Sequence, residues 1–278
     1  MENIYFMNNE SVYYSLLPLI VTIECMAFAF TYFALTWHKR TKHSEETLSR
    51  VHKSFIGIFL IEFWYWLTNP LLYIFKVLHF TPNKITTLSI FLSFITGLIY
   101  ATGNFAFAGW MLVISGTLDM LDGRLARETG TATREGAFFD SCSDRYSDSF
   151  VLIGIAVYFL SKNYFGGDFT ISLSDFIAIV VILFLMLGTA SVSYVKARGE
   201  AVGITTKSGL MQRPERIMML SIYSILDPFL RIIQKNYGMN DDYGLIFLLI
   251  LMTVLINSSA ISRMRDIFRQ IRESGGVS

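Results

Sequence analysis

The amino-acid sequence predicts an all-α integral membrane protein with seven helices that cross the bilayer and one helix that lies along its surface. Two observations predict this fold class. The chain of 278 residues is 53% hydrophobic with a mean hydropathy of +0.48, which is too apolar for a soluble domain. Its charges gather in short stretches between long apolar runs, although the net charge is only +1. We therefore expect the lipid bilayer to surround the protein, and we expect no nucleic-acid partner.

Seven segments are long enough to span the hydrocarbon, which takes about 20 apolar residues per helix. Glu2 and Glu10 precede the first segment where a signal peptide would have basic residues, so we interpret that segment as a retained helix. The sequence shows no internal repeat and no hydrophilic run long enough for a soluble domain. The predicted spans lie at roughly 13–37, 85–107, 108–127, 137–161, 172–197, 213–235 and 243–265.

The segment 55–80 is also hydrophobic, but Glu62 and Pro70 interrupt it, and its apolar residues recur at helical spacing beside Lys76. This pattern predicts a helix that lies along the membrane surface. An eighth spanning helix is the alternative. The predicted domains are an extra N-terminal spanning helix with a basic loop (1–53), the interfacial helix (54–80), a catalytic membrane domain (81–265) and a basic tail (266–278).

Basic residues predict the orientation, because short cytoplasmic loops are enriched in Lys and Arg. The opposite side would hold little basic charge beyond Lys162 and Lys235. A further crossing at 55–80 would place one basic cluster on the wrong side, which favours the interfacial helix. We expect the N-terminus outside and, in a prokaryote, a location in the inner or plasma membrane. Four clusters can then share the cytoplasmic face, at residues 39–53, 124–134, 196–213 and 263–272.

Four aspartates flank the loop between the third and fourth predicted spans. Asp119 and Asp122 lie near the end of one helix, and Asp140 and Asp144 lie near the start of the next. Residues three or four apart share a helix face, and the short loop predicts that the two helices are antiparallel neighbours. We therefore expect the four carboxylates to converge just inside the cytoplasmic interface.

Four close carboxylates repel one another at membrane depth unless a cation is present, so the cluster predicts a metal site. Its ligands are all oxygen atoms, which favours Mg²⁺ or Mn²⁺ over zinc, and two ions could clamp a phosphoryl group. Gly123 and Ala126 leave space for a ligand against the backbone, and Arg127 offers a guanidinium to a phosphate. These residues together predict a nucleotide diphosphate site.

Other interpretations compete with this one. Taken singly, an aspartate at a helix end is usually a cap, and Gly or Ala in a membrane helix usually allows close packing. Carboxylates in membranes also mark the ion paths of transporters. Transporters commonly show repeated halves or helices broken at mid-membrane, and the sequence indicates neither feature.

The run from Asp119 to Asp144 has the form D-x-x-D-G-x-x-A-R, eight residues, G-x-x-x-D-x-x-x-D, with Gly136 as the first fixed residue of the second half. It resembles the signature of the CDP-alcohol phosphatidyltransferase family at every fixed position. The resemblance covers roughly residues 66–265 and implies a six-helix catalytic core. About the first 60 residues, including the extra N-terminal helix, have no counterpart in that core.

This resemblance implies a reaction that depends on Mg²⁺ or Mn²⁺. An alcohol would attack the lipid-linked phosphate of a CDP-linked donor such as CDP-diacylglycerol, and CMP would leave. It implies that Asp119, Asp122 and Asp140 hold two metal ions, and that Asp144 assists them and acts as the general base. It implies homodimers as well. The residues implied in donor binding are Asp119, Asp122, Gly123, Ala126 and Arg127.

A second constellation contains Ala-Arg-x-Glu at 197–200 and Arg-Pro-Glu-Arg at 213–216. Both pieces resemble the branch of the family that makes inositol phosphate lipids, namely the phosphatidylinositol phosphate and archaetidylinositol phosphate synthases. We therefore expect a phosphorylated polyol acceptor, with inositol phosphate first and glycerol 3-phosphate or a free alcohol as alternatives. Arg145 and Arg198 are the predicted ligands of its phosphate. We interpret three further cations as ordinary residues of a cytoplasmic loop, namely Lys196, Lys207 and Arg213.

Overall fold

The computed structural model describes residues 9–37, 58–164, 171–205 and 211–275. Within these ranges every regular element is a helix, which confirms the all-α class. The predicted basic loop at 39–53, the domain boundary at 53 and Lys207 lie outside the described residues. The helices are α1 (Asn9–Trp37), α2 (Ile58–Val77), α3 (Pro82–Ala101), α4 (Phe105–Glu128), α5 (Arg134–Tyr164), α6 (Leu173–Ala201), α7 (Arg213–Asn236) and α8 (Tyr243–Gly275).

Five described helices, α3, α4, α6, α7 and α8, are long and apolar enough to cross a membrane. They identify a multi-pass integral membrane protein. Helix α5 is as long as these, but charged residues are frequent in its first half, so its composition alone does not mark it as a span. The predicted orientation in the membrane stays a prediction.

The chain divides into two compact units within α2, between Asn69 and Pro70. In the first unit, α1 packs against the start of α2 through aromatic rings. The ring of Phe33 is buried, and its centroid lies 5.3 Å from that of Phe59 and 5.5 Å from that of Phe63. The division falls inside the segment 54–80, whose place along the membrane surface stays a prediction.

The second unit contains α3 to α8 and the end of α2. Helix α3 packs closely against both α4 and α5, α4 packs against α7, and α6 packs against α8. At the crossing of α3 and α5, a Cβ added to Gly97 or Gly154 would overlap the backbone of the other helix. Small residues at such crossings let membrane helices approach closely. The crossing fixes α5, and therefore its aspartates, against α3.

The structure corrects two sequence-based expectations about α3 to α5. The backbones of α4 and α5 do not pack directly on each other, since each packs on α3, and the two helices meet only through side chains such as Phe105 and Tyr158. We call the space between α4 and α5 at their aspartates the cleft. The break between the second and third predicted spans lies at residues 102–104, not at 107. There Gly103 adopts a positive φ of 79°, and the Asn104 side chain accepts a hydrogen bond from the Phe107 amide at 3.3 Å. A turn and a helix cap thus end the apolar run earlier than hydropathy suggests.

A buried ionic network lies at the C-terminal end of α5 and joins it to α6, to α7 and to the turn that precedes α8. Asp242 accepts hydrogen bonds from Lys162 at 2.6 Å and from Arg231 at 3.0 Å. Lys162 also donates to Asp175 at 3.1 Å, and Arg231 donates to Asp227 at 2.7 Å. All three carboxylates are at most 3% exposed. We call these five residues the distal network.

Candidate active site

Three of the four predicted aspartates form one group across the cleft between α4 and α5. One carboxylate oxygen from each of Asp119, Asp140 and Asp144 lies within 4.8 Å of the other two. The helical spacing explains this convergence, because Asp140 and Asp144 are one turn apart on the same face of α5. The expected meeting of the two carboxylate stripes therefore occurs in the structure, although the backbones of the two helices do not pack directly on each other.

The fourth aspartate, Asp122, is held by its own hydrogen bonds. The side chain is buried, and its two oxygens accept from the Thr86 hydroxyl and from the Gly123 amide, each at 2.5 Å. Thr86 lies on α3 and is itself buried. The carboxylate therefore has a fixed orientation that the sequence pattern alone did not explain.

The predicted donor-binding residues lie together at the end of α4. A Cβ added to Gly123 would lie 3.2 Å from Nη1 of Arg127, so the missing side chain lets this guanidinium lie over the backbone. Arg127 is exposed and Ala126 is half-buried. Gly136 faces Thr133 and Asn83, because a Cβ there would lie 3.2 Å and 3.5 Å from their side-chain oxygens. The small residues of the signature thus keep open the mouth of the cleft.

Arg213 was misinterpreted from the sequence as an ordinary loop cation. It begins α7, and its Nη1 donates to Asp119 and, at 2.5 Å, to Asp144. Its Nε donates to Asp148 at 3.2 Å. The guanidinium therefore lies among the carboxylates of the cluster, because α7 packs against α4 and brings the start of its first turn over the cleft.

Asp148 and Arg216 were also missed. Asp148 continues the four-residue spacing of Asp140 and Asp144 by one more turn, and this continuation was the available signal. Its second oxygen accepts from Arg216 at 2.5 Å. Arg216 follows Arg213 by three residues on the same face of α7. No spacing in the sequence could show that α7 meets this face of α5.

The two arginines predicted to bind the acceptor phosphate lie in different surroundings. Arg145 is half-buried on α5, and its Nη1 donates to the carbonyl of Ser141, one turn earlier. Arg198 is exposed near the end of α6 and makes no ion pair with any described residue. Lys196 forms an exposed pair with Glu200 at 3.8 Å, in keeping with its interpretation as a loop cation. The roles of Arg145 and Arg198 stay predictions.

The residues present fit a divalent metal ion. The donor set of Asp119, Asp140 and Asp144 consists of carboxylate oxygens that converge from two helices, and no histidine or cysteine belongs to this group among the described residues. Hard divalent cations prefer such ligands. Arg213 donates to two of the same carboxylates, so the guanidinium and an ion would share them.

Comparison with known proteins gives consistent matches. The family model described as CDP-alcohol phosphatidyltransferase matches residues 79–256. The chain is 36% identical over 155 residues to a phosphatidylinositol phosphate synthase of Mycobacteroides abscessus. The aligned region covers 55% of this chain and 66% of that protein, which is just under two thirds. It is 32% identical over 148 residues to an archaetidylinositol phosphate synthase of Pyrococcus horikoshii, and this aligned region covers 53% of this chain and 70% of that protein.

Solved structures share the fold. A crystal structure of Mycobacterium tuberculosis phosphatidylinositol phosphate synthase with CDP-DAG bound superposes with a TM-score of 0.60 at 24% identity, covering 72% of this chain and 93% of that one. The same protein in complex with manganese and citrate gives a TM-score of 0.60 at 25% identity, covering 72% and 88%. These likenesses confirm the predicted fold class of the catalytic helices.

Proposed function

The chain belongs to the CDP-alcohol phosphatidyltransferase family, and from this premise we propose that it transfers a phosphatidyl or related phospholipid group from a CDP-linked lipid to a phosphorylated polyol, with release of CMP. The observation that carries the proposal is the convergence of Asp119, Asp140 and Asp144 within 4.8 Å at the mouth of the cleft. Two relatives named as inositol phosphate lipid synthases support inositol phosphate as the acceptor. Family membership favours this enzyme over the transporter considered from the sequence.

We propose that the metal is Mg²⁺ or Mn²⁺ and that Asp119, Asp122, Asp140 and Asp144 hold two ions. Manganese in the related M. tuberculosis structure and the all-oxygen donor set support this choice. When bound, the ions would supply positive charge to the phosphate oxygens of the donor as the leaving group departs. The bonds from Thr86 and Gly123 keep the Asp122 carboxylate oriented.

The donor is proposed to lie along the end of α4. Gly123 and Ala126 let a diphosphate approach the backbone, and the guanidinium of Arg127 beside Gly123 can pair with a phosphate oxygen. Asp119 and Asp122 belong to this donor site as well. The lipid part of the donor would extend toward the bilayer, which surrounds the helices.

Asp144 is proposed to act as the general base. Its Oδ1 accepts from Arg213 at 2.5 Å, so Oδ2 is the atom that would take the proton of the acceptor hydroxyl. The hydroxyl oxygen then bonds to the lipid-linked phosphorus, and the bond from that phosphorus to the bridging oxygen breaks. CMP leaves with this oxygen and the electron pair. A base within hydrogen-bond reach of the hydroxyl is the geometric requirement for this step.

The acceptor's phosphate needs cations near Asp144, because a dianion entering a cluster of carboxylates is repelled. Arg145 and Arg198 are the candidates that the sequence indicates. Arg213 and Arg216 join them, since Arg213 is bonded directly to Asp144. Guanidinium groups bind phosphate at two points, which suits this task.

Replacing Arg198 with Ala is expected to raise the acceptor KM steeply and to change the donor KM much less. Losing one partner of a desolvated charge-assisted contact costs about 2–5 kcal/mol. Steady-state kinetics of CMP release measures both constants, and Lys235→Ala is the control, because that lysine lies at the far end of α7. Unchanged acceptor kinetics in Arg198→Ala would leave Arg198 as an ordinary loop cation and move the acceptor site to Arg145 and α7.

We also propose that the cleft faces the cytoplasm, that the N-terminus lies outside, and that the protein forms a homodimer. A single cysteine introduced at Ala132, in the loop between α4 and α5, should react with a membrane-impermeant maleimide only after the membrane is opened. Labelling in intact cells would reverse this orientation.

One assay tests the function as a whole. Purified protein is mixed with CDP-diacylglycerol, Mg²⁺ or Mn²⁺ and one acceptor at a time, namely inositol phosphate, glycerol 3-phosphate, inositol, glycerol or serine. We expect CMP release with inositol phosphate above all, and none after chelation of the metal. CMP release with every free alcohol at the same rate would reject a phosphorylated acceptor, and no release with any acceptor would reject the proposed donor chemistry.

A further inference from the structure

Asp148 is a half-buried aspartate to which the proposed chemistry assigns no step. It lies one helical turn beyond Asp144, and its side chain is 14% exposed. Its two oxygens accept hydrogen bonds from different arginines. Oδ1 accepts from Arg213 at 3.2 Å, and Oδ2 accepts from Arg216 at 2.5 Å. A carboxylate that divides its two oxygens between two guanidinium groups fixes the distance between those groups as well as their orientation.

The start of α7 is an unfavourable place for two cations. Arg213 is the first residue of the helix and Arg216 lies within its first turn, where the helix dipole carries positive partial charge and repels cations. Glu215 is already engaged there, since it accepts from the Gln212 amide at 3.1 Å. A counter-charge from another helix is therefore needed to keep both arginines in place, and Asp148 supplies it from α5.

Among the described residues that line the cavity beside Asp148, no other carboxylate is available to pair with Arg216. A cavity of about 40 Å³ lies beneath the pair of Asp148 and Arg216, and the other residues around it are apolar apart from Thr189. Water cannot readily solvate an unpaired guanidinium beside such a wall. The ion pair thus forms a boundary between the apolar interior and the carboxylate cluster.

Arg213 gains a defined direction from this contact. Asp148 binds its Nε, which lies nearest the side-chain stem, while its Nη1 points at Asp119 and Asp144. Arginine side chains lose much rotational freedom when they are fixed in this way. This loss of side-chain entropy occurs when the protein folds, before any acceptor binds. The site is therefore preorganised for the acceptor.

We propose that Asp148 is a positioning residue that holds Arg213 and Arg216 as a fixed pair of guanidinium groups, which receive the phosphate of the acceptor beside Asp144. This inference rests on the proposed function, and it names residues that select a phosphorylated acceptor over a free alcohol. Asp148 itself touches neither substrate.

The test compares Asp148→Asn with a matched variant, Asp242→Asn. Asp148 is half-buried and Asp242 is buried. Each accepts hydrogen bonds from two cations, but Asp242 belongs to the distal network. Asp148→Asn should raise the KM and the calorimetric Kd for inositol phosphate by about tenfold or more, the cost of losing a charge-assisted bond, with the donor KM within about twofold of its original value. Asp242→Asn should change none of these constants. An equal loss in both variants would show that Asp148 serves stability alone.

A double-variant cycle tests the path of the effect. If Asp148 acts through Arg213, adding Asp148→Asn to Arg213→Gln should raise the acceptor KM much less than Asp148→Asn does alone. Additive effects would overturn the proposal. Should Asp148→Asn fail to fold, Asp148→Glu keeps the charge but displaces it, and a smaller rise in the same KM is expected; an unchanged KM would overturn the proposal as well.

The calorimetric titration separates this inference from the proposed function. If the parent protein binds inositol phosphate with Mn²⁺ present but releases no CMP, the transfer chemistry is wrong, and the Kd of the Asp148 variants still decides the positioning role. If the parent protein transfers lipid to a free alcohol and binds no inositol phosphate, the phosphate receptor is wrong while the transfer chemistry stands.

Discussion

The aspartates near the two ends of α5 differ in how many of them are paired with a cation. At the N-terminal end, five aspartates of α4 and α5 surround the cleft, and among the described residues only Arg213 and Arg216 form ion pairs with them. At the C-terminal end, the three aspartates of the distal network bind Lys162 and Arg231. Asp119, Asp140 and Asp144 are half-buried, whereas each aspartate of the distal network is at most 3% exposed. Both ends are polar, so the presence of aspartates alone does not distinguish the proposed metal cluster from a structural one.

The difference lies in the carboxylates that lack a cation. Every carboxylate of the distal network accepts a bond from Lys162 or Arg231, whereas Asp122 and Asp140 form no ion pair with any residue that the structure describes. Close carboxylates without cations are costly in a membrane protein, and such a cost usually accompanies function. The excess of negative charge is therefore the feature on which we base the proposed metal site at the N-terminal end of α5.

The largest expected effect is the loss of turnover in Asp144→Asn. This change removes the proposed base, and general-base catalysis contributes about 10²–10⁴-fold to a rate. We expect a fall of that size in kcat, with binding of CDP-diacylglycerol largely kept. Single-turnover measurements of CMP release give the rate, and a variant with near-parent turnover would remove Asp144 from the mechanism.

The matching change at the other end, Asp242→Asn, should affect stability and leave the rate unchanged. Breaking a buried ion pair by removing one partner costs about 3–5 kcal/mol, and Asp242 has two cationic partners. Thermal unfolding in detergent should show a lower midpoint, while kcat per folded molecule stays at the parent value. A tenfold lower kcat in the folded variant would link the distal network to catalysis and break the comparison.

The smallest expected effect concerns Thr86, which orients Asp122 at 2.5 Å. Thr86→Val removes one hydrogen bond to a charged group, about 1.5–3 kcal/mol, and should weaken metal and donor affinity by about tenfold. The neighbouring Thr87→Val is a close control, because that exposed hydroxyl donates only to the Asn83 carbonyl at 2.9 Å. Equal metal and donor affinities in Thr86→Val and Thr87→Val would show that Asp122 binds its ligands without the hydrogen bond from Thr86.

Local patterns in the sequence allowed the convergence of the aspartates to be predicted. Asp119 with Asp122, and Asp140 with Asp144, each repeat at a helical spacing that a sequence displays. The same reasoning predicted that α4 and α5 pack directly on each other, whereas both pack on α3. A short loop limits the distance between two helices but does not show which other helix packs against them.

Arg213 and Arg216 could not be assigned in this way. Arg213 binds Asp148 across 65 positions of sequence, and no local spacing reports a contact between helices so far apart. A basic residue at the end of a membrane helix also fits the positive-inside rule. That rule alone explained Arg213 from the sequence, and only the packing of α7 against α4 shows its contact with the aspartates. The turn at Gly103 and Asn104 was misplaced for a related reason, since hydropathy continues through it.

Mn²⁺ binding by the purified protein, followed by electron paramagnetic resonance of the free ion, tests whether the aspartate cluster of α4 and α5 is the metal site. Asp119→Asn is compared with Asp175→Asn, because each aspartate binds a cation and the two lie at opposite ends of the bundle. Losing an outer-shell partner of a metal typically weakens its binding by about 10–100-fold, and Asp119→Asn should lose at least that much. We expect Asp175→Asn to bind Mn²⁺ as the parent protein does. Unchanged binding in Asp119→Asn, or an equal loss in Asp175→Asn, would contradict the assignment of the metal to the N-terminal end of α5.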